Sequence, residues 1–570
     1  MTSVTFPRTD AAGSRTQVDR HETPFGFAAW TVAYAVLAWF TGAYFMADTV
    51  DYASSVYQHD QGINYVFWDF RHLFWRPLGW VLLHLLGPLL NKVSAGVPRI
   101  AVLYIFITLN LISGLVSLFL LRGFLRKFHN PRWSVEFASV AFVFSCAFLN
   151  YIHAGTSYIP GLMFLLLGLY LMVRTAEPGA VGYLPYGAAL SLAVSVCLWF
   201  PYAFAVPGAL ALPLFYPDRS TQRLAVIVRS TIVCLCAGIV AYGAVLAHQR
   251  IYTVPAIRNW IGQGASSVAG VRGGKRAVFG FAHSFIDLGK DGVLFKRFLL
   301  HDPYNPVTLR QLLRLSLWKL ALFYALLLAV VLRLLRSSHG RNVLAICAAV
   351  AGPVVLFALF WFGGDIERYL PLYPASFLAL TCAIAGDRRA LTRILAAAFL
   401  VVAIASNVTG LSRYTLRHQQ QMVIDRIEPL LPLFKPQSRM VVVDIHDEVV
   451  NFSRSFPLNS INRRSQPLEY ALLNPGTPQT RHWRQDFAAR VLATWNAHGD
   501  IWISKRLLAP APKSNWDWIE HSDPNVGWKD LHDLFPQFDF GTSAGEGDGF
   551  LLLLPTQKNL AMIDSLQSVG

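Results

Sequence analysis

The sequence predicts an α-helical polytopic membrane protein that carries a soluble α/β domain at its C-terminal end. Three observations carry this prediction. The 570-residue chain is 54% hydrophobic and 14% charged, where ordinary soluble chains carry about 25% charged residues. Apolar runs of membrane-crossing length recur between residues 27 and 410. Beyond residue 410 only short apolar runs of strand type remain, together with one segment of helical pattern.

Eleven spans are expected, over residues 27–46, 100–121, 134–150, 159–173, 183–199, 201–216, 224–247, 317–335, 343–362, 369–386 and 392–410. Several are short, and the fifth and sixth are interrupted by Trp199-Phe200-Pro201-Tyr202. Lysine and arginine in the short loops set the expected orientation. Arg8, Arg15 and Arg20 precede the first span; Arg122, Arg126, Lys127 and Arg132 follow the second. Arg219, Arg223 and Arg229, then Arg333, Arg336 and Arg341, then Arg388, Arg389 and Arg393 mark later loops on the same side. The opposite short loops, 150–158 and 363–368, hold a single basic residue, Arg368. The expected arrangement is an N-terminus in the cytoplasm and, after an odd number of spans, a C-terminal domain outside. Residues 1–26 form a polar cytoplasmic tail, with the first span acting as a signal anchor.

The net charge of +16 is largely accounted for by these loops and does not point to nucleic acid. Part of it lies in an external loop, 248–316, with Arg250, Arg258, Arg272, Lys275, Arg276, Lys290, Lys296 and Arg297. A basic surface at membrane level suits lipid head groups or phosphates. Cys146, Cys197, Cys234, Cys236, Cys347 and Cys382 all fall in apolar spans, so neither a disulfide framework nor a zinc spacing is present. The domains are therefore a tail at 1–26, a membrane domain at 27–410 with external loops 47–99 and 248–316, and a soluble domain at 411–570. In the last, strands are expected at Met440–Asp444, Asp500–Ser504 and Gly549–Pro555, and a helix at Phe487–Asn496; the glycine-rich run from Gly541 reads as a turn-rich connection.

Carboxylates of the membrane domain concentrate on the outer side. Asp48 and Asp51 stand at the end of the first span and share a face if a helix continues there. Two close carboxylates raise one pKa, and a desolvated one can act as a base; a solvated helix end with ordinary surface acids is the alternative. Next comes Asp69-Phe-Arg71-His72-Leu-Phe-Trp75-Arg76-Pro77. At helical spacing Asp69, His72 and Arg76 make one polar stripe, and arginine with histidine can hold a phosphate. Pro77 suits a break or a first turn, followed by a short interfacial helix over 78–90. The third stretch is Gly363-Gly-Asp365-Ile-Glu367-Arg368-Tyr369-Leu-Pro371. Here Arg368 either pairs with Glu367 and Asp365 or clamps a phosphate at the mouth of the membrane domain. His153, in the loop 150–158, is a packing residue or a site residue. The sequon Asn407-Val-Thr409 sits inside a span and reads as chance.

A first span followed at once by aspartate, a long first external loop with interfacial helices, and a late Glu-Arg-Tyr-Leu-x-x-x-Pro motif resemble the GT-C glycosyltransferases. Among these the chain is similar to the bacterial relatives of protein O-mannosyltransferases and the lipid A aminoarabinose transferase. The resemblance implies an inverting transferase that takes a sugar from a polyprenyl monophosphate and passes it to an acceptor hydroxyl on a glycan, lipid or protein at the outer face of the cytoplasmic membrane. It implies that Asp48, with Asp51 as the close alternative, is the catalytic carboxylate. It further implies that Arg368, with Arg71, His72 or Arg76, neutralises the phosphate, with Asp69, His153, Glu367 and Tyr369 among the substrate-contacting residues. No cofactor is expected; a divalent metal serves some members with pyrophosphate donors. The chain departs from many relatives in spacing its first two acids three apart and in offering Asn150 and His153 where they carry a further acid. Three other classes compete, one of them a non-catalytic membrane scaffold that presents its external domain. An O-antigen polymerase or ligase, which uses pyrophosphate-linked donors, suits the basic loop but less well the two acidic motifs. A transporter predicts functional charges near the midplane of the spans and inverted repeats, and the sequence has neither.

Overall fold

The structure is a computed structural model. It describes residues 24–43, 47–62, 67–90, 92–94, 96–177, 180–215, 220–262, 272–288, 298, 307–313, 317–361, 363–387, 390–415, 432, 435, 438–442, 469–472, 483–508, 528–544 and 549–568.

The described helices of the membrane domain begin with α1 (Pro24–Phe40), α2 (Ala47–Asp60), α3 (Trp75–Leu90) and α4 (Pro98–Arg126). Next are α5 (Arg132–Val143), α6 (Cys146–Ala154), α7 (Tyr158–Thr175), α8 (Leu184–Leu198) and the short α9 (Val206–Leu210). After them come α10 (Ser220–His248), α11 (Val254–Gly262), α12 (Arg272–Phe285) and α13 (Leu309–Leu313). The last four are α14 (Leu317–Leu335), α15 (Ser338–Phe360), α16 (Tyr373–Gly386) and α17 (Leu391–Leu411). A 3₁₀ turn, Ile366–Leu372, runs directly into α16. Among the described residues, seven stretches are long and apolar enough to cross a membrane: α4, α7, α10 from Arg223, α14, α15, Ile366–Gly386 and Leu391–Ser412. The chain is a multi-pass membrane protein. Those seven coincide with seven of the eleven expected spans. The expected span at 134–150 is the pair α5–α6, bent by 55° at its break.

The other three expected spans take different forms. The first stops at Phe40, short of Met46, because the chain must pass close to residues 411–414. Gly42 donates its N–H to the Leu411 carbonyl at 3.1 Å, and a Cβ there would fall 2.0 Å from the Tyr414 carbonyl oxygen. The chain starts a new helix at Ala47, so Asp48 lies in the first turn of α2 and not at the end of a continued first span. The fifth, α8, is a short apolar helix of 15 residues. The sixth, 201–216, is no continuous helix: it comprises 3₁₀ turns at Phe200–Phe204 and Leu212–Phe215 around α9. Pro201, Pro207 and Pro213 each remove a backbone donor and restrict the preceding residue.

Helix α4 is the axis of the N-terminal half. Its first turns pack on α2, α3 and α6, and it also packs on α5 and α7. Trp75 of α3 stacks on Phe106 of α4, ring centroids 4.7 Å apart. The far end of α4 is closed by Arg122, which is buried and donates both terminal nitrogens to Glu136 at 2.6 and 2.7 Å, while Trp30 donates to the same carboxylate at 3.1 Å. Arg122 stands roughly 24 Å along the helix from Phe106. The site described below and this basic end therefore occupy opposite ends of the bundle. In the C-terminal half α14 to α17 pack together and α16 joins α5, so one apolar core runs through both halves.

The C-terminal domain contains a five-stranded mixed sheet of order β2-β1-β3-β5-β4. Its strands are β1 (Arg439–Val442), β2 (Glu469–Leu472), β3 (Ile501–Ser504), β4 (Phe540–Ala544) and β5 (Phe550–Leu553). β1 pairs in parallel with β2 and β3; β5 pairs antiparallel with β3 and β4. The helices are α18 (Trp483–Asn496), α19 (Trp528–Leu534) and α20 (Gln557–Ser568). Phe487, Val491, Ile501, Ile503, Phe535, Leu553 and Ile563 meet in its core. The first four residues of the run from Gly541, expected to be a turn-rich connection, are instead part of β4, with Ser543 and Ala544 in register with Leu551 and Phe550, so the sheet overrides weak local propensity; the rest of the run lies outside the described residues.

Candidate active site

Three separate segments converge at one end of the membrane domain: the first loop with α2, the turn between α6 and α7, and the turn before α16. The middle one is the hinge of the site. α6 ends in the left-handed Gly155, at φ +68°, the helix-terminating conformation that glycine adopts without strain. A Cβ there would lie 2.7 Å from Thr49 Cγ2. Two residues of the first loop hold this turn through its carbonyls. Thr49 donates to Ala154, and Trp75 donates to Gly155 at 3.2 Å.

Asp48 is half-buried, and the Tyr158 hydroxyl donates to its Oδ2 at 2.7 Å. Asp51, one turn further along α2, is exposed. The Tyr151 hydroxyl donates to Glu367 Oε2, also at 2.7 Å. The two tyrosine rings meet edge to face, centroids 5.0 Å apart. The acids they hold, one from the first loop and one from the turn before α16, are thereby neighbours across the site.

The basic groups form the other wall. Asp69 caps the 3₁₀ turn Phe70–His72 by accepting from the Arg71 backbone N–H at 2.8 Å. Its Oδ2 also lies 3.3 Å from Arg71 Nη2 and 3.2 Å from Arg76 Nη1. Burial works to raise the Asp69 pKa, but His72, Arg71 and Arg76 hold it well below the usual carboxylate range. His72 is buried between the Tyr52 hydroxyl at 3.1 Å and Ser157 Oγ at 2.7 Å. Burial, with Arg71, Arg76 and Arg368 adding to it against the opposing pull of Asp69, pushes the imidazole down to about 3. His72 is accordingly neutral, with one ring nitrogen donating and the other accepting. Burial, then the nearby Asp48 charge, raises Tyr52 well above its ordinary value, so its hydroxyl stays protonated.

Arg368 lies 3.8 Å from Glu367 and 3.7 Å from Asp365, over the rings of Trp199 and Trp361 at 5.8 and 6.0 Å. Tyr369 is buried with its hydroxyl 2.6 Å from the Gly363 carbonyl and 3.1 Å from that of Ala277, which fastens the turn to α12. His153 lies against the first helix, its Nε2 3.0 Å from Thr41 Oγ1. Within the basic loop 248–316, residues 263–271, 289–297, 299–306 and 314–316 fall outside the described residues. Among the described residues no group of three or more His, Cys, Asp or Glu side chains could hold a metal ion.

Several buried polar atoms here make no hydrogen bond: Arg76 Nε and Nη1, Thr156 Oγ1, Trp361 Nε1 and Arg368 Nε. Arg76 Nη1 is near Asp69 yet misaligned, and Arg368 Nε is too far from Glu367. A buried donor without an acceptor is costly. An acceptor-rich anion entering between the two walls would satisfy such donors.

Sequence reasoning placed Asp48, Asp69, Arg71, His72, Arg76, Glu367 and Arg368 at one end of the molecule, and they do meet there. It did not assign roles to Tyr52, Tyr151, Ser157, Tyr158 or Trp199. In a chain with 21 tyrosines and 16 tryptophans nothing local distinguishes them; their importance arises from partners far away in sequence.

The membrane domain has a GT-C-like fold. No protein-family model matches the sequence, and no curated protein matches it. Among solved structures, ArnT from Cupriavidus metallidurans bound to undecaprenyl phosphate aligns over 93% of this chain and 98% of its own, with a TM-score of 0.52 and 12% identity. The archaeal oligosaccharyltransferase AglB from Archaeoglobus fulgidus, in complex with an inhibitory peptide and a dolichol-phosphate, covers 93% of this chain and 74% of its own, at TM-score 0.44 and 10% identity. The arabinofuranosyltransferase AftD from Mycobacteria covers 94% and 42%, at TM-score 0.42 and 14% identity. At these identities the likeness concerns the fold.

Proposed function

We propose that the chain is an inverting glycosyltransferase that moves a sugar from a polyprenyl monophosphate to an acceptor hydroxyl at the outer face of the cytoplasmic membrane. The observation that carries this reading is the pairing of a half-buried carboxylate, Asp48, with a wall of arginines whose buried donors lack acceptors, in the fold shared with a protein solved with undecaprenyl phosphate. Arg368 and Arg76 offer N–H groups to phosphate oxygens. His72, neutral and fixed at both nitrogens, adds shape and hydrogen bonding but no charge. Asp48 has one oxygen taken by Tyr158 and keeps the other for the acceptor proton.

In the reaction the acceptor oxygen attacks the anomeric carbon while its proton passes to Asp48. The bond from that carbon to the phosphate oxygen breaks, and the polyprenyl phosphate leaves with the bonding pair. The arginines stabilise the charge that develops on it. One displacement inverts the anomeric centre. No step requires a metal.

The test uses the full chain in lipid nanodiscs. Undecaprenyl phosphate is the binding probe, and a panel of polyprenyl-phosphate hexoses and pentoses supplies donors. Asp48→Asn is expected to keep undecaprenyl phosphate binding and to lose about 10²- to 10⁴-fold in transfer. Arg368→Lys keeps the charge but not the planar fork, and is expected to weaken binding of the probe while the protein stays folded. Failure to bind undecaprenyl phosphate, or full transfer by the Asn variant, would refute the assignment. Loss of thermal stability with unchanged probe affinity in the Lys variant would leave Arg368 as an ion-pair residue only.

A further inference from the structure

We propose that Tyr158 is the positioning residue for Asp48, and that the facing ends of α6 and α7 deliver one phenol each to the two halves of the site. Tyr158 serves the acceptor side through Asp48, and Tyr151 serves the phosphate side through Glu367. The inference rests on the transferase reading above.

Both contacts are 2.7 Å long and run from a phenol to a carboxylate, the strong class of charge-assisted bond. Each phenol is itself immobilised. The Tyr158 ring lies 4.5 Å from that of Trp199 and 5.0 Å from that of Tyr151, and its carbonyl accepts the Tyr202 hydroxyl at 2.7 Å. The Tyr151 carbonyl accepts Asn110 Nδ2 at 2.8 Å. Thr49, the residue after Asp48, and Trp75 hold the turn between them. The donors therefore stand on a braced frame, whereas Asp48 is half-buried in the first turn of its helix. Fixing Oδ2 fixes the direction of the other oxygen, and a carboxylate so aimed accepts a proton without first reorienting.

Glu367 is treated in the same way. Tyr151 takes Oε2, leaving Oε1 3.8 Å from Arg368 Nε. The glutamate steadies the guanidinium without consuming that N–H. The two tyrosines are thus expected to affect different kinetic constants, which a purely structural role for the turn would not produce.

Tyr158→Phe keeps the ring and its packing on Trp199 and Tyr151, and removes only the donor. With the active donor from the polyprenyl-phosphate panel, kcat is expected to fall about tenfold to a hundredfold, with donor KM nearly unchanged. Tyr151→Phe is expected to raise donor KM more than it lowers kcat. Equal losses in both constants for both variants would overturn the proposal. A second measurement needs no substrate. Infrared difference spectra of Asp48→Asn against the parent isolate the carboxylate stretch of Asp48. That band is expected to shift in Tyr158→Phe and to stay in place in Tyr151→Phe; an unmoved band in the former refutes the contact. Should Tyr158→Phe not fold, fluorotyrosine at 158 replaces it: a stronger donor of nearly the same shape, it shifts the band if the bond exists and leaves it unmoved if it does not. Failure to bind undecaprenyl phosphate would defeat the transferase reading alone, because the infrared band still decides whether Tyr158 holds Asp48.

Discussion

Single side chains at this site are tuned by burial as much as by charge, and His72 shows it best. Its ordinary pKa of 6.5 falls to about 3 in the fold. Between those values the unfolded chain binds a proton that the folded chain refuses. Stability is therefore full above about pH 6.5 and declines as pH falls toward 3, by at most about 1.4 kcal/mol per pH unit from this group. His72→Gln removes the titration, and thermal melts across that range should show a flatter acid limb than the parent. An unchanged limb would mean that His72 is protonated in the fold. The residue scale also marks where sequence reading stops. The Asp69 and Arg76 pair was visible at helical spacing because both partners lie in one nine-residue stretch. The Asp48 and Tyr158 contact spans 110 positions, and no local period encodes such a distance.

At the scale of elements, the apolar runs were legible because length and hydropathy are local properties. Strands expected at 440–444, 500–504 and 549–555 appear at 439–442, 501–504 and 550–553, and the helix expected at 487–496 is the latter part of Trp483–Asn496. Two of the failures come from contacts outside the segment itself. The first span ends early because residues 411–414, remote in sequence, crowd Gly42, and β4 exists because β5 lies beside it. The turn between α6 and α7 yields the prediction at this scale. Gly155→Ala would force a non-glycine residue to φ near +68° and press its Cβ on Thr49. A stability loss of roughly 1–3 kcal/mol is expected, together with reduced transfer because Asp48 and Tyr158 flank that contact. A melt that matches the parent would show that the turn has room to adjust.

For the whole molecule, the arrangement of charge is the organising fact. Asp48 and Arg368 share one end of the bundle, while Arg122 and Glu136 close the other. The loop charges lead to the expectation that the basic end faces the cytoplasm, and reporter fusions after Lys127 and after Arg413 are then expected on opposite sides of the membrane. The same side for both would invalidate the orientation and, with it, an outward-facing site.

Asn407 belongs to this scale too, although in sequence it looked like a chance sequon. It is buried in α17. Its Nδ2 donates to the carbonyls of Phe144, at the break between α5 and α6, and of Phe285, at the end of α12. Its Oδ1 accepts the Asp287 N–H. The bend that carries Tyr151 toward the site is thus braced by a side chain 263 positions later. At about 5–20 residues per second, a ribosome needs on the order of ten to fifty seconds to travel from one to the other. During that interval the N-terminal spans are already in lipid while the brace of their kink is still unmade. The end that holds the candidate site can mature only after α17 arrives, so a truncated chain lacking α17 would enter the bilayer without its kink clasped.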